Sequence, residues 1–312
     1  MKLLIFYLSC NERHYTFPNF IRLLNESKYK NEWILFILSH SDDYEFYENE
    51  LKNVSIQYVI MANIPLLLNY LVKIRTAIKL AEENNIPYMM KCDNDIFITS
   101  QTLDYMIDNL SILDGNKHLT LGPTLSSGIP CVEYFINQYL SDDEEEKMKA
   151  YFLETSFYDR DGVEYSTLNK NTLESKSWDK NQFFNDVKSI PHYYKGIHPI
   201  RINIDAILYL NKCILNNKEK FFNSNPEGLI LDDSSPYLCD SIFCIKTDIY
   251  KKIIYDETLY VDPYDEVPLN KYAWKESMNH VFVKNGFGIH IIYNWFPAID
   301  GYEKNFVNEL FG

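Results

Sequence analysis

The chain lacks any apolar run long enough to cross a membrane. Its longest candidate, residues 59–72, is interrupted by Asn63, Pro65 and Asn69, whereas a spanning helix needs about 20 apolar residues in succession. The amino-terminal segment MKLLIFYLSCNERH is a short apolar run that ends in polar residues and has no small-residue cleavage site. We therefore interpret it as a first β-strand and not as a signal peptide.

The chain also lacks the cysteine patterns that bind zinc or build a disulfide framework. Six cysteines occur, none of them in a CxxC pair, and no group of His and Cys shows zinc spacing. Their scatter through apolar stretches predicts buried thiols in a reducing compartment. These absences predict a cytoplasmic protein and leave peripheral membrane contact open.

Basic residues are scarce relative to acidic ones. There are 30 Lys and Arg against 44 Asp and Glu, so the formal charge is -14. This balance argues against a nucleic-acid partner, because sequence-blind binding needs a surplus of positive charge facing phosphates. A local basic pocket for a small phosphorylated ligand is still compatible with it. No glycine-rich phosphate loop follows the first strand, which argues against a nucleotidyltransferase.

The residues that are present predict a folded α/β protein. Apolar residues make up 46% of the chain, enough to bury a full core. The first hundred residues alternate apolar runs at 3–8, 33–38, 56–60 and from 88 with helical patterns at 17–25, 43–52 and from Pro65. Strands separated by helices predict a mostly parallel central sheet flanked by helices, with a Rossmann-like amino-terminal half.

The pattern is less regular after residue 100. We expect strands at 118–121, 241–245 and 288–293, a helix at 268–284, and a solvated helix start or loop at the charge run 141–147. Residues 151–225 are polar, rich in Tyr and poorly periodic, which predicts helices and irregular structure over the sheet or around a pocket. We expect a single domain, 1–312, with a divergent carboxyl-terminal half.

The strongest local signal is the segment MMKCDNDIFI at residues 89–98. Asp93, Asn94 and Asp95 follow a buried strand, at the sheet edge where open parallel sheets bind ligands. Two carboxylates in apolar sequence are costly to bury, and a divalent cation with hard oxygen ligands, Mg²⁺ or Mn²⁺, would neutralise them. A plain turn is the alternative, because Asp and Asn also favour turns.

Because of this segment and its position after the fourth strand, the chain resembles the glycosyltransferases of the GT-A fold and, among these, those of glycosyltransferase family two. In that family the DxD holds Mn²⁺ or Mg²⁺ on the diphosphate of a nucleotide sugar. The resemblance covers residues 2–99 and, less closely, 261–294. It implies a nucleotide-sugar-binding half, 1–100, and an acceptor-binding half, 101–312. It also implies transfer of a sugar, with a UDP-sugar favoured, to a hydroxyl of a glycan or glycoconjugate.

The resemblance assigns nucleotide contacts near the ends of the first two strands. The segment Ser9-Cys10-Asn11-Glu12-Arg13 is similar to the family's polar motif after strand one, and Ser9, Asn11 and Arg13 are its expected contacts. An ordinary strand-to-helix loop is the alternative for each of them.

Two further contacts depart from the family pattern or are ambiguous. The second strand of the family ends in an Asp that contacts the base; here Ser39 stands in that place, and Asp42 or Asp43 is the substitute. The helix before the DxD often supplies a basic residue to the diphosphate, and Arg75 fits that place better than Lys73. Solvation is the ordinary role of such side chains.

The carboxyl-terminal half offers a base and a third metal ligand. Asp265 and Glu266 precede a helix, where the resemblance places the catalytic base of inverting members; helix capping is the alternative. His290 lies in the apolar strand FGIHIIY, where the family often has an additional metal ligand, although a buried core His is the common alternative. Trp295 follows as a stacking platform or a core residue.

Two other functions are compatible with parts of the sequence. A phosphohydrolase of the haloacid dehalogenase type also uses an aspartate pair on a strand, and the run at 229–233 is similar to its last acidic motif. However, that family has a small hydroxyl residue where Phe97 stands here, and its first motif lies near the amino terminus. A non-catalytic carbohydrate-binding protein is the other alternative, given the 25 Tyr residues.

Overall fold

The fold was analysed in a computed structural model. It describes residues 1–9, 11–63, 70–128, 131–154, 204–231, 238, 241–259, 265–291 and 301–312. Among the sequence-derived candidates, the side chain of Asn11, the residue Trp295 and the acidic pair 232–233 lie outside the described residues.

A single sheet runs through both halves of the chain. Its strands are β1 (Leu3–Ser9), β2 (Trp33–Ser39), β3 (Gln57–Met61), β4 (Tyr88–Asp93), β5 (Ile96–Ile98), β6 (His118–Leu125), β7 (Leu229–Ile230), β8 (Ile242–Lys246) and β9 (Asn279–His290). Their order is β3-β2-β1-β4-β8-β6-β9-β5, and β7 pairs with β9. The first four strands are parallel to one another. Among the described strands, β6 and β9 also pair in parallel, whereas the β4–β8, β8–β6, β9–β5 and β7–β9 pairs are antiparallel.

Helices flank this sheet. They are α1 (Phe17–Asn25), α2 (Tyr44–Leu51), α3 (Tyr70–Glu83), α4 (Ser100–Asp108), α5 (Cys131–Tyr139), α6 (Asp142–Glu154), α7 (Ile204–Asn216), α8 (Lys218–Phe222), α9 (Thr247–Tyr255), α10 (Glu266–Glu276) and α11 (Tyr302–Phe311). Short 3-10 helices lie at Asn11–Thr16, Leu110–Asp114 and Glu257–Leu259. None of the helices in the described ranges has the length and apolar character that a membrane crossing needs.

The α/β fold class with a helix-flanked central sheet is confirmed, and it is consistent with the GT-A type. The sheet that we expected to be mostly parallel is parallel mainly in its amino-terminal half. The strands β1 and β2 bury almost every side chain, because helices cover both faces of this part of the sheet. The helix α3 buries Leu71, Ile74 and Ile78 on one face and ends before Asn85, whose φ of 52° breaks the helical path.

Two elements of the carboxyl-terminal half differ from the sequence prediction. The predicted helix 268–284 ends at Glu276, because Ser277 takes a left-handed conformation with φ 54° and caps α10. Met278 and Val281 therefore pack from the chain entering β9 and not from a helix face. The strand β6 also continues beyond the predicted end at residue 121, through Gly122 and Pro123, to Leu125.

The charge run at 141–147 begins a helix, as one of our two alternatives proposed. The Ser141 backbone N–H donates to Glu144 Oε2 at 2.9 Å, and the Glu144 N–H donates to Ser141 Oγ at 3.4 Å. This reciprocal pair is a capping box, which satisfies amide groups at the start of α6.

Candidate functional site

Parallel register brings the polar ends of three strands to one edge of the sheet. Ser9 of β1 is opposite Ser39 of β2, and Leu8 of β1 is opposite Asp93 of β4. The Asn94 backbone N–H donates to Leu8 O at 3.1 Å, so the Asp93-Asn94-Asp95 turn is held directly against β1. The predicted DxD turn therefore lies at the carboxyl edge of the parallel strands, where α/β folds bind ligands.

Asp95 and His290 face each other although they are far apart in sequence. The short strand β5 pairs antiparallel with the end of β9, and this register puts Ile96 opposite His290. His290 Nε2 consequently lies 3.4 Å from Asp95 Oδ1. The other ring nitrogen, Nδ1, is hydrogen bonded to Ser127 Oγ at 2.6 Å. Ser127 thus sets the orientation of the imidazole and directs Nε2 towards Asp95.

Arg13 contacts the same carboxylate from the loop that follows β1. Its Nη1 lies 3.3 Å from Asp95 Oδ2, and its Nε donates to Glu303 of α11 at 2.5 Å. Burial alone would raise the pKa of Asp95, but the neighbouring His290 and the Arg13 guanidinium outweigh that effect and hold the pKa below its usual value. Asp95 is therefore an ionised, largely buried carboxylate.

The pair Asp95 and His290 fits a divalent cation. Asp95 Oδ1 is buried and accepts no hydrogen bond within the described part of the chain, although it faces the imidazole. A carboxylate oxygen and a neutral imidazole nitrogen are suitable ligands for Mn²⁺. Asp93 lies 3.7 Å from Lys91 Nζ, and no group of three His, Cys, Asp or Glu side chains is arranged around one point among the residues that the structure describes.

Asp265 is placed differently from Glu266. Its side chain is fully buried at the start of α10, where Oδ1 lies 3.3 Å from Lys91 Nζ and Oδ2 accepts a 2.6 Å hydrogen bond from Tyr250. Burial, and next the charge of Asp265, raise the pKa of the Tyr250 hydroxyl. A catalytic base must reach the acceptor hydroxyl within about 3 Å. The Asp265 carboxylate is fully buried, with one oxygen beside Lys91 and the other bonded to Tyr250, which argues against Asp265 as the catalytic base. The half-buried Glu266 keeps that role as a prediction.

Asp43, in the loop that follows β2, is hydrogen bonded to two neighbouring side chains. Ser39 Oγ donates to Asp43 Oδ2 at 2.6 Å, and His14 Nε2 bonds to the same oxygen at 2.7 Å. The second oxygen, Oδ1, is buried and makes no hydrogen bond within the described ranges. Of the two substitutes that we considered, Asp42 is exposed and Asp43 is buried at the site. Ser9 Oγ is hydrogen bonded to Tyr47 of α2.

The two basic residues of α3 point to different places. Lys73 is buried beside His40, the residue that directly follows β2, and its Nζ is hydrogen bonded to the imidazole. Burial lowers the pKa of Lys73. Arg75, which we preferred from the sequence, donates to Ile254 O at 3.3 Å and stacks over the Tyr255 ring of α9 at 4.7 Å. The structure therefore brings Lys73, and not Arg75, to the edge that carries the ends of the strands.

Sequence reasoning missed three residues of this site. Lys91 had a usable signal, since a lone charge inside an apolar strand is costly unless it is paired. Ser127 and Glu303 had none, because they reach His290 and Arg13 only through tertiary packing. Glu303 lies 290 residues after Arg13 in an otherwise ordinary amphipathic helix.

Comparisons with known proteins leave the family open. Neither a protein-family model nor a curated protein matches the chain. The crystal structure of S. aureus TarS matches at 16% identity over 42% of this chain and 22% of that one, with a TM-score of 0.31. A structure of S. aureus TarS 1–349 in complex with UDP-GlcNAc matches at 16% identity over 42% of this chain and 37% of that one, with a TM-score of 0.35. The chain thus spans less than two thirds of either TarS chain, and a likeness at these TM-scores carries no argument about activity.

Proposed function

We propose that this protein is a metal-dependent glycosyltransferase. It would move a sugar from a nucleotide-sugar donor, with a UDP-sugar favoured, to a hydroxyl of a glycan or glycoconjugate. The observation that carries the proposal is the facing pair Asp95 and His290 beside Arg13, at the carboxyl edge of the parallel strands. Carboxylate, imidazole and guanidinium together suit a cation and the diphosphate that it accompanies.

Two side chains near the ends of β1 and β2 are the proposed contacts of the nucleotide. Asp43 Oδ1 is a buried acceptor, fixed by Ser39 and His14, that suits an N–H group of a nucleobase. Lys73 is a buried cation held by His40 at the same edge, which suits a phosphate oxygen. In this proposal Asp43 takes the place that the family gives to the end of its second strand, and Lys73 takes the place that we expected for Arg75.

Asp95 and His290 would hold the cation, with Asp93 as the further carboxylate at the turn. When bound, a divalent cation supplies charge neutralisation for the leaving diphosphate. The chain itself orients the ligands: Ser127 fixes the imidazole ring, and Arg13 holds the Asp95 carboxylate. Such preorganisation means that little reorientation is needed as charge develops.

On the acceptor side, Glu266 is the proposed general base. It begins α10 next to the buried Asp265, which ties the helix start to Lys91 of β4. A base that removes the hydroxyl proton during attack on the anomeric carbon gives inversion of configuration. Positioning of the hydroxyl by this half of the chain would supply much of the rate enhancement.

The phosphohydrolase alternative gains nothing from the structure. Phe97, at the place of that family's small hydroxyl residue, is fully buried in β5 and packs edge-on against Phe311 at 4.8 Å. The acidic pair 232–233, which is similar to the last acidic motif of that phosphohydrolase family, lies outside the described residues. Turnover of sugar phosphates without any nucleotide sugar would favour this alternative, and sugar binding without metal-dependent nucleotide binding would favour a non-catalytic carbohydrate-binding protein.

The test is a thermal-shift and titration screen against UDP-, GDP-, CMP- and dTDP-sugars with Mn²⁺, beginning with UDP-GlcNAc. We expect one nucleotide class to raise the melting temperature, and the Asp95→Asn variant to lose this effect. The matched control is Asp142→Asn, on the exposed start of α6. If no nucleotide sugar binds the wild type, or if Asp95→Asn binds as tightly as the wild type, the proposal is wrong.

A further inference from the structure

The carboxyl-terminal helix α11 contributes a side chain to the site at the end of β1. We infer that Glu303 is a positioning residue: it holds Arg13 in the orientation in which the guanidinium contacts Asp95 and receives the diphosphate of the donor. This inference rests on the proposed function, and it adds a helix that neither the sequence nor the resemblance connects with donor binding.

Arg13 is held between two carboxylates on either side of its guanidinium group. Nε donates to Glu303 Oε1 at 2.5 Å, and Nη1 lies 3.3 Å from Asp95 Oδ2. The side chains of Arg13, Glu303 and Asp95 are only 10%, 12% and 14% exposed. A planar guanidinium that is bound at Nε by one carboxylate cannot rotate about its long axis without breaking that bond. Glu303 therefore determines which way the terminal nitrogens face.

Glu303 also holds the loop on which Arg13 lies. Its Oε1 accepts a second hydrogen bond, from the Tyr15 hydroxyl at 2.9 Å. Burial, followed by the charge of Glu303, raises the pKa of Tyr15, so this hydroxyl stays a donor. On the other side of the loop, Thr16 Oγ1 donates to Asn94 O at 2.8 Å. The loop is thus held between α11 and the DxD turn.

The helix α11 packs against the protein core, and this packing positions Glu303. Phe306, Val307 and Leu310 are buried on one face. The Phe311 ring meets the ring of Phe97, two residues after Asp95, at 4.8 Å, and the Arg22 guanidinium lies 5.1 Å from the Phe311 centroid. One helix therefore packs on β5, the strand that directly follows Asp95, and orients the arginine that contacts this carboxylate.

The experiment is a double-mutant cycle on nucleotide affinity. Wild type, Arg13→Met, Glu303→Ala and Arg13→Met/Glu303→Ala are titrated calorimetrically with UDP, GDP, CMP and dTDP in the presence of Mn²⁺, and the nucleotide that binds the wild type is compared across variants. We expect Glu303→Ala to weaken binding about tenfold, as is usual when a partner that orients a ligand-contacting side chain is removed. Glu303→Gln, which keeps an acceptor oxygen, should lose less.

The decisive result is the affinity of the double variant. If Glu303 acts through Arg13, the double variant binds no more weakly than Arg13→Met alone, because no arginine is left to position. If Glu303 only supports the fold, the two losses multiply. The matched control is Glu309→Gln, an exposed carboxylate on the same helix that should bind like the wild type.

Other outcomes separate this inference from the proposed function. Wild-type affinity in Glu303→Ala, or multiplying losses, overturns the positioning role and leaves the glycosyltransferase proposal standing. A wild type that binds none of the four nucleotides overturns the proposed function, and the inference with it. Should Glu303→Ala unfold, the comparison of Arg13→Met/Glu303→Gln with Arg13→Met decides by the same criterion.

Discussion

The buried charge pair between Lys91 and Asp265 can be tested by measuring how the loss of either partner changes the free energy of unfolding. Lys91 is 1% exposed and Asp265 is fully buried, their closest atoms are 3.3 Å apart, and Tyr250 donates to the second Asp265 oxygen. Removing one partner of such a pair leaves an uncompensated buried charge, which costs about 3–5 kcal/mol. We expect Lys91→Met to fall at the upper end of that range, because Asp93 at 3.7 Å loses its neighbour as well.

The loss of stability in Asp265→Asn should lie at the lower end of this range, because the Lys91 ammonium still has Asp93 at 3.7 Å and the Tyr70 ring at 5.4 Å. Tyr250→Phe removes one hydrogen bond to a charged oxygen, worth about 1.5–3 kcal/mol. The double variant Lys91→Met/Asp265→Asn should be more stable than Lys91→Met alone, because it no longer leaves the Asp265 charge without its partner.

The assay is urea unfolding followed by circular dichroism, with the melting temperature as a second measure. A loss of this size corresponds to a fall of about 5–8 °C in the melting temperature for a chain of this length. The control is Lys28→Met, which breaks the exposed pair with Asp108 and should change stability little. The reasoning is refuted if Lys91→Met is no less stable than Lys28→Met, or if the double variant is less stable than both single variants.

The remaining predictions concern the edge where the strands end. Ser127→Ala should weaken Mn²⁺ binding about tenfold, measured by electron paramagnetic resonance, because the His290 ring loses the partner that orients it. An unchanged Kd would contradict this, and Ser141→Ala, at the residue just before α6, is the control. Asp43→Asn should weaken nucleotide binding more than the exposed Asp42→Asn does, by about tenfold if one hydrogen bond of about 1.4 kcal/mol is lost; equal affinities in calorimetry would exclude the base-binding role. Burial places the pKa of Lys73 in the folded chain below its usual 10.5. At pH values between the folded-state and unfolded-state pKa, the unfolded chain binds more protons than the folded one. Lys73 therefore makes the free energy of unfolding rise with pH. The stability of Lys73→Met relative to wild type, measured by urea unfolding, should therefore decline from pH 8 to pH 10, and a pH-independent difference would show that the ammonium is not desolvated.

Several elements could be predicted because their signals are local. The helix α1 begins and ends at the residues that periodicity indicated, and β1 and β2 appear as continuous apolar runs. The run of 268–284 shows where such signals fail. Its apolar spacing suits a helix, but the left-handed Ser277 ends that helix, and the following residues find hydrogen-bond partners on β6. Strand pairing depends on residues far along the chain, and therefore a local pattern cannot determine it.

The candidate site divides in the same way. The DxD turn was visible from Asp93 and Asp95 because charge after a buried strand is costly and specific. The choice of Lys73 over Arg75 was not visible, since two residues along a helix turn a side chain by more than half a revolution and only the neighbours decide which direction is useful. Asp265 appeared as a free acid at a helix start, whereas the structure pairs it with Lys91, which no local pattern connects with it.

The sequence by itself determined the α/β class, the scarcity of positive charge, and the place of Asp93 and Asp95 at the end of a buried strand, because each of these depends on composition or on neighbours in the chain. Only the tertiary structure decided that His290 faces Asp95, that Glu303 holds Arg13, and that Asp265 is buried against Lys91. These contacts form when a mixed sheet and its packed helices bring distant residues together. Burying these charges costs free energy that their pairing offsets, and the packing of the apolar core holds the contacts in place.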